Sequence, residues 1–267
     1  MTKHILVMFL FLVISSLSYA QGEIVQEKDL NYYSENSFGL KLNSNGFGLD
    51  YRFDYRYTNK TRGFLESGVD ILKDPKELKL YNPFFNDQKK FVYGKINSVF
   101  KIRLGTGIQR EIFSKQDKNS LSIRYQFAVG GSFAFAKPMY YNIVDSVEIV
   151  GNQQYFYSSP QTFNLDYHNP SDIVSRESWF KGLSETKIIP GAFIRAGLNF
   201  EFSNDRFKTK ALEIGAEFDI YTKNVTIMAE NEQQFFLNIY CSYRFGYKYS
   251  TLISRDARKF LRKQEKK

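Results

Sequence analysis

Along residues 48–57, large apolar or aromatic side chains alternate with charged ones. Leu49, Tyr51, Phe53, Tyr55 and Tyr57 share one parity, and Asp50, Arg52, Asp54 and Arg56 share the other. A period of two held over ten residues predicts a strand with one greasy face and one face of alternating acid and base. The pattern recurs, and it predicts eight strands in all. The first, at about 37–43, carries Phe38, Leu40 and Leu42 on one face and ends in the hairpin signal Ser44-Asn45-Gly46. The third sets Leu65, Val69 and Ile71 against Arg62, Glu66 and Asp70. The fourth starts near Phe91 and sets Val92, Ile96, Phe100, Ile102 and Leu104 against Lys95, Asn97, Lys101 and Arg103. Its alternation fades over 105–113, where an end or a bulge is expected. The fifth sets Leu121, Ile123, Tyr125, Phe127, Val129, Phe133 and Phe135 against Arg124, Gln126 and small residues. The sixth has Ile194, Leu198, Phe200 and Phe202 against Arg195, Asn199 and Glu201. The seventh has Leu212, Ile214, Phe218 and Ile220 against Glu213, Glu217 and Asp219, and the eighth Leu237, Ile239, Cys241, Tyr243 and Phe245 against Asn238, Ser242 and Arg244.

Short connections are expected after the second, fourth and sixth strands. Longer ones are expected after the third (73–90), the fifth (137–187, the longest) and the seventh (223–233). An even strand number with short turns at one end and longer loops at the other is the layout of an outer-membrane barrel with both termini in the periplasm. A soluble β-sandwich also alternates, but its strands usually run to about 5–6 residues, shorter than many of these. The two faces fix the register. The apolar parity carries almost no charge, whereas the other holds acids and bases in near balance. A closed lumen needs that balance, because one unpaired buried charge costs several kcal/mol. The expected fold is therefore all-β: an eight-stranded antiparallel transmembrane β-barrel of the outer-membrane type, over 36–250, with one long extracellular loop.

The N-terminus adds export. Met1-Thr2-Lys3-His4 is a short positive n-region, 5–14 is an unbroken apolar run, and Ser18-Tyr19-Ala20 puts small residues where a signal peptidase reads. Residues 1–20 read as a signal peptide cleaved before Gln21, followed by a polar periplasmic lead over 21–35. Outer-membrane localisation follows as an expectation. Aromatic residues make up 17% of the 267, with 26 Phe and 19 Tyr, which suits strands and membrane interfaces. The net charge of +9 comes without a nucleic-acid motif. Cys241 is the only cysteine, so an intramolecular disulfide is excluded.

With the strands placed, several stretches resemble uncharacterised outer-membrane β-barrel proteins of the Bacteroidetes type. They are the signal peptide, the 48–57 strand, Tyr93-Gly94-Lys95-Ile96-Asn97, Ala136-Lys137-Pro138 and Gly197-Leu198-Asn199-Phe200-Glu201-Phe202. The resemblance implies fold and location and carries no catalytic residues. One departure is that the chain runs on well past Phe245, where many such barrels end.

Three regions are candidates for function. The first is the lumen charge network: Asp50, Arg52, Asp54, Arg56, Glu66, Asp70, Arg103, Arg124, Arg195, Glu201, Glu213, Glu217 and Arg244. An eight-stranded barrel is just wide enough for side chains, so these residues are expected to plug the lumen rather than line a channel. The second is the long loop, where Tyr140, Tyr141, Tyr155, Tyr157 and Trp179, with Phe156, offer aromatic area for a partner or for folding over the mouth. Asp145-Ser146-Val147 there matches a short O-glycosylation acceptor pattern. The third is the basic periplasmic tail over 251–267, with Arg255, Arg258, Lys259, Arg262 and Lys263, suited to anionic lipid, peptidoglycan or an acidic partner. His168 is the one histidine after the signal peptide and lacks an evident nucleophile. The expectation is a non-enzymatic, cofactor-free barrel. It would be a structural or accessory subunit engaging outer-membrane lipids and another envelope component, such as an assembly or secretion complex, through its outer loops or tail. A narrow-pore transporter and a lipid-modifying enzyme are the alternatives.

Overall fold

The computed structural model describes residues 33–58, 60–85, 89–115, 120–151, 153–205 and 207–250. The signal peptide, most of the lead and the basic tail with Arg255, Arg258, Lys259, Arg262 and Lys263 lie outside the described residues. The strands in chain order are β1 (Tyr33–Asn43), β2 (Gly46–Arg56), β3 (Thr61–Leu72), β4 (Lys79–Leu80), β5 (Phe91–Val92), β6 (Asn97–Phe113) and β7 (Ser122–Pro138). They continue with β8 (Tyr140–Val150), β9 (Gln153–Thr162), β10 (Ile173–Arg176), β11 (Lys187–Glu201), β12 (Lys208–Met228) and β13 (Asn231–Ser250). Eight of them close into an antiparallel barrel in the order β1-β13-β12-β11-β7-β6-β3-β2. The ring shuts where β1 pairs with β13, Phe38 opposite Phe245 and Leu42 opposite Cys241.

The closed ring removes every free edge, the one way a sheet can satisfy its backbone in lipid. Its exterior is apolar. Leu49, Leu65, Val69, Phe127, Ile194, Leu198, Phe218 and Leu237 all present themselves outward. Aromatics gather at both ends of this belt. Toward the end where β1 begins and β13 ends, Phe38 stacks obliquely on Tyr51 at 5.0 Å, and Phe202 neighbours Tyr243 at 6.4 Å. Near the opposite rim, Phe100 lies flat on Phe135 at 4.9 Å. An apolar wall bounded by two aromatic girdles is the surface of a transmembrane barrel.

Two expectations need correction, and a third is met by one of its two alternatives. The fourth strand starts at Asn97, not near Phe91, because Phe91–Val92 leaves the barrel to pair with Lys79–Leu80 as a small separate hairpin. Of the end or bulge expected over 105–113, the strand shows the bulge: β6 runs through to Phe113, with a register shift between Glu111 and Phe113. The pattern fades there because glycines make room for large inward rings. A Cβ on Gly105 would lie 2.6 Å from the Phe193 ring, and one on Gly107 would lie 2.3 Å from Phe64. Finally, 223–233 is not a loop, since β12 and β13 extend to Met228 and Asn231 and leave a two-residue turn. The 137–187 connection is also largely built. It holds a three-stranded sheet in the order β10-β8-β9 and a single 3-10 turn at Leu183–Glu185.

Candidate functional site: a closed lumen beneath a built cap

Alternation puts the charged parity of every barrel strand into the lumen, and register sorts it into storeys. At the end of the barrel where β1 begins and β13 ends, Arg124 reaches Glu201 at 2.5 Å, with Lys248 on the other carboxylate oxygen, and Gln109 donates to Asp54 at 2.5 Å. In the middle, Arg52 bridges Glu66 and Glu213, each at 3.0 Å, and donates to Gln126 at 2.7 Å. Arg195 pairs with Glu66, and Glu213 also accepts from the Tyr240 hydroxyl at 2.9 Å and from Arg244 at 3.3 Å. Above this, Arg103 links Asp50 at 2.6 Å, Asp70 at 2.8 Å and Glu217. Glu217 further accepts from Lys101 at 2.5 Å and Lys41 at 3.3 Å. These groups are essentially inaccessible to solvent, with Arg103 and Glu217 each about 1% exposed. Carboxylates shared by two or more cations offset part of the desolvation cost of these charges.

Arg56, also expected in the network, lies at the Arg56–Arg62 end of the β2–β3 pair. It stands half-buried at the rim, where its Nε donates to the Thr58 carbonyl at 3.0 Å. Several lumen residues were missed. Lys41 lies on the inward parity of the first strand, and Glu35, expected in the lead over 21–35, shares that parity because β1 begins at Tyr33; both are buried. Phe64, Phe193 and Tyr240 are also inward. Arg52 lies 4.2 Å over the Phe64 ring, and Arg195 lies 5.3 Å over Tyr240. Their parity was the available signal, but aromatics on a charged face do not stand out as core.

Above the ion pairs the filling turns apolar. Leu72, Val99, Ala134, Ala136, Tyr221, Val225, Ile227 and Phe236 form one buried cluster. The chain then crosses the mouth. Ile96 N donates to the Ile227 carbonyl and Ala229 N to the Gly94 carbonyl, although β6 and β12 are not neighbours in the ring. A second cluster of Phe91, Met139, Tyr141, Ile143, Phe163 and Ile173 stands on this crossing. Asn82 ties the 73–96 segment to β10, donating to the Ser171 and Ile173 carbonyls at 2.8 and 2.9 Å.

The cap sorts the aromatic candidates of the long connection. Tyr141 is fully buried, so it is a core residue of the cap and not a contact surface. Its hydroxyl lies 2.9 Å from the carbonyls of both Val92 and Lys95. Burial pushes its phenol well up, and the nearby Glu77 charge adds to this. Tyr140 hydrogen-bonds Glu185 at 2.9 Å, a bond that raises its phenol. Tyr155, Tyr157 and Trp179 remain exposed, and Phe156 packs edge-on against Phe85 at 5.2 Å. Asp145 pairs with Gln161 on the β8–β9 hairpin. His168 accepts the Asn164 amide on Nδ1 at 3.0 Å, and its carbonyl accepts from Tyr93, so the ring nitrogen serves a turn. Tyr141→Phe should remove the hydroxyl donor from a buried carbonyl at a cost of about 1–3 kcal/mol, concentrated in the cap. Limited proteolysis should then cut 73–96 faster while barrel unfolding stays unchanged.

No family model matches the chain, and no curated protein does. Among solved structures it is similar to Neisserial surface protein A, at 9% identity and TM-score 0.37, over 82% of this chain and 96% of that one. It is also similar to Ail, the attachment invasion locus protein of Yersinia pestis, in complex with the heparin analogue sucrose octasulfate. That match has 9% identity and TM-score 0.38, over 82% of this chain and 100% of that one. A third is the N-terminal β-barrel domain of Pseudomonas aeruginosa OprF, at 9% identity and TM-score 0.35, over 82% of this chain and 98% of that one. Likeness of this order carries nothing about ligands or partners. The eight-stranded outer-membrane-type architecture rests on the chain's own closed ring, apolar wall and charged lumen.

Proposed function

We propose that the chain is a non-enzymatic outer-membrane barrel with a sealed lumen, whose cap faces outward and engages another component of the envelope. The observation that carries this is the double closure. Ion pairs of Arg52 with Glu213 and of Arg103 with Glu217 fill the lumen, and the 94–97 segment is hydrogen-bonded across the mouth to the end of β12. A barrel sealed at two levels is a scaffold, and the ordered sheet with exposed Tyr155, Tyr157 and Trp179 is what it displays. The signal peptide supports export, and the basic tail at 251–267 supplies a second, periplasmic contact for anionic lipid, peptidoglycan or an acidic partner. The likeness to Bacteroidetes-type barrels and a place in an assembly or secretion complex fit this reading.

In planar bilayers the purified protein should give no steady single-channel currents. Sustained currents would sink the scaffold reading and favour a narrow-pore transporter. Mild-detergent purification of the intact chain beside a form lacking 251–267 then assigns any envelope component to the cap or to the tail.

A further inference from the structure

Where β3 leaves the barrel, the cap and the rim enclose a cavity of about 220 Å³. Its walls carry Lys73, Lys79, Lys90 and Arg176, with Trp179 and Ile71 as apolar surfaces. Lys95 and Glu77 also line it, and they neutralise each other at 2.7 Å. The other four cations form no ion pair with a described acid, in contrast to the lumen, where cations are matched by carboxylates. An excess of cations around a half-enclosed cavity raises the local concentration of anions. Lys and Arg together suit phosphate, one as a point charge and the other as a planar fork.

The height of the cavity narrows the ligand. Ile71 belongs to the lipid-facing parity of β3 with Leu65 and Val69, and it is itself part of the cavity wall. Lys73 is the next residue of that parity, and its Nζ stands 5.3 Å over the ring of Phe47, an outward aromatic at the rim. Trp179, half exposed, is the kind of side chain that sits at a headgroup level. The cavity therefore opens where the apolar belt ends, the depth at which lipid phosphates lie.

We propose that this cavity binds the phosphate-bearing headgroup of a lipid in the leaflet at the capped end of the barrel. This rests on the membrane-barrel reading above. Trp179 is the only tryptophan of the chain and lies in the wall, so its fluorescence reports on the site. The full chain, folded in neutral detergent, is titrated with an acylated glucosamine disaccharide bearing two phosphates, with the same lipid stripped of phosphate, and with inorganic pyrophosphate. A saturable Trp179 response is expected for the phosphorylated lipid, none for the stripped lipid, and a much weaker one for pyrophosphate. Removing exposed cations with the double variant Lys73→Gln/Arg176→Gln should weaken the lipid response by at least about tenfold, as expected for bonds to a charged group.

Equal responses to both lipids, or a response the double variant leaves unchanged, would overturn the site. Pyrophosphate binding as tight as the lipid would overturn the lipid assignment in favour of a soluble phosphate. Heat-modifiable gel mobility and insertion into phosphatidylcholine vesicles control for folding in both proteins. A wild-type chain that does not insert would overturn the membrane reading and the site with it, whereas insertion without a phosphate-dependent response would overturn the site alone.

Discussion

Glu217→Leu should lower the unfolding free energy of the barrel by about 3–5 kcal/mol, the cost of breaking a buried ion network from one side. Glu217 is the acceptor on which Arg103, Lys101 and Lys41 converge. Removing it leaves Asp50, Asp70 and Asp219 to hold three cations, and no water replaces the lost oxygens in a space filled on all sides. Urea titration of protein folded in phosphatidylcholine vesicles, followed by the loss of heat-modifiable mobility, reads the change. The exposed pair Lys208–Asp205 at 3.2 Å gives the contrast. Lys208→Gln should move the midpoint by no more than about 0–1 kcal/mol, because exposed pairs contribute little. A Glu217→Leu variant as stable as wild type would mean that the lumen is wet and its charges individually solvated. The network's larger effect is on register. A one-residue slip of any strand would turn its lumen charges to lipid and its apolar side chains inward, so the paired charges specify which of two near-equivalent pairings forms.

The strand faces were legible because alternation is a one-dimensional signal. Asp50 and Arg52 on one parity, with Leu49 and Tyr51 on the other, needed no tertiary information, and the same held for Glu213 and Glu217 in β12. Failures came where the two-residue period was carried by residues that do not announce it. Gly105 and Gly107 have no side chain to assign to a face; their role is to make room for Phe193 and Phe64, contributed by other strands. Phe91 and Val92 kept the apolar character of a strand but pair within the cap, a choice set by the crossing of 94–97 over the mouth. The cap was illegible for a related reason. Tyr141 and Tyr155 look alike in the chain, yet one is buried under Phe91 and Phe163 and the other is presented to solvent. The basic cavity joins Lys73, Lys79 and Lys90 from one connection to Arg176 and Trp179 from another, a juxtaposition that exists only once both connections fold onto the rim.

Ile194→Arg should destabilise the barrel by about 2–4 kcal/mol, the depth-dependent cost of a cation on the lipid face near the bilayer midplane. Ile194 is half exposed at the middle of β11, opposite Val129 on β7 and Phe218 on β12. On the same strand and face, Ile188 lies at the rim, 60% exposed. There the same substitution should cost only about 0–1 kcal/mol, because arginine reaches the interface. The two variants separate the solvents the wall could face. If this surface met water, an arginine at either position would be a surface change within about 0.5 kcal/mol, and the two would behave alike. A cost that is large at Ile194 and small at Ile188 requires hydrocarbon outside the ring. The measurement is the urea midpoint of each variant in phosphatidylcholine vesicles, compared with wild type at matched lipid ratio. Equal midpoints for the two variants would remove the membrane from the account of this fold, and with it the reason for an apolar exterior around a charged interior.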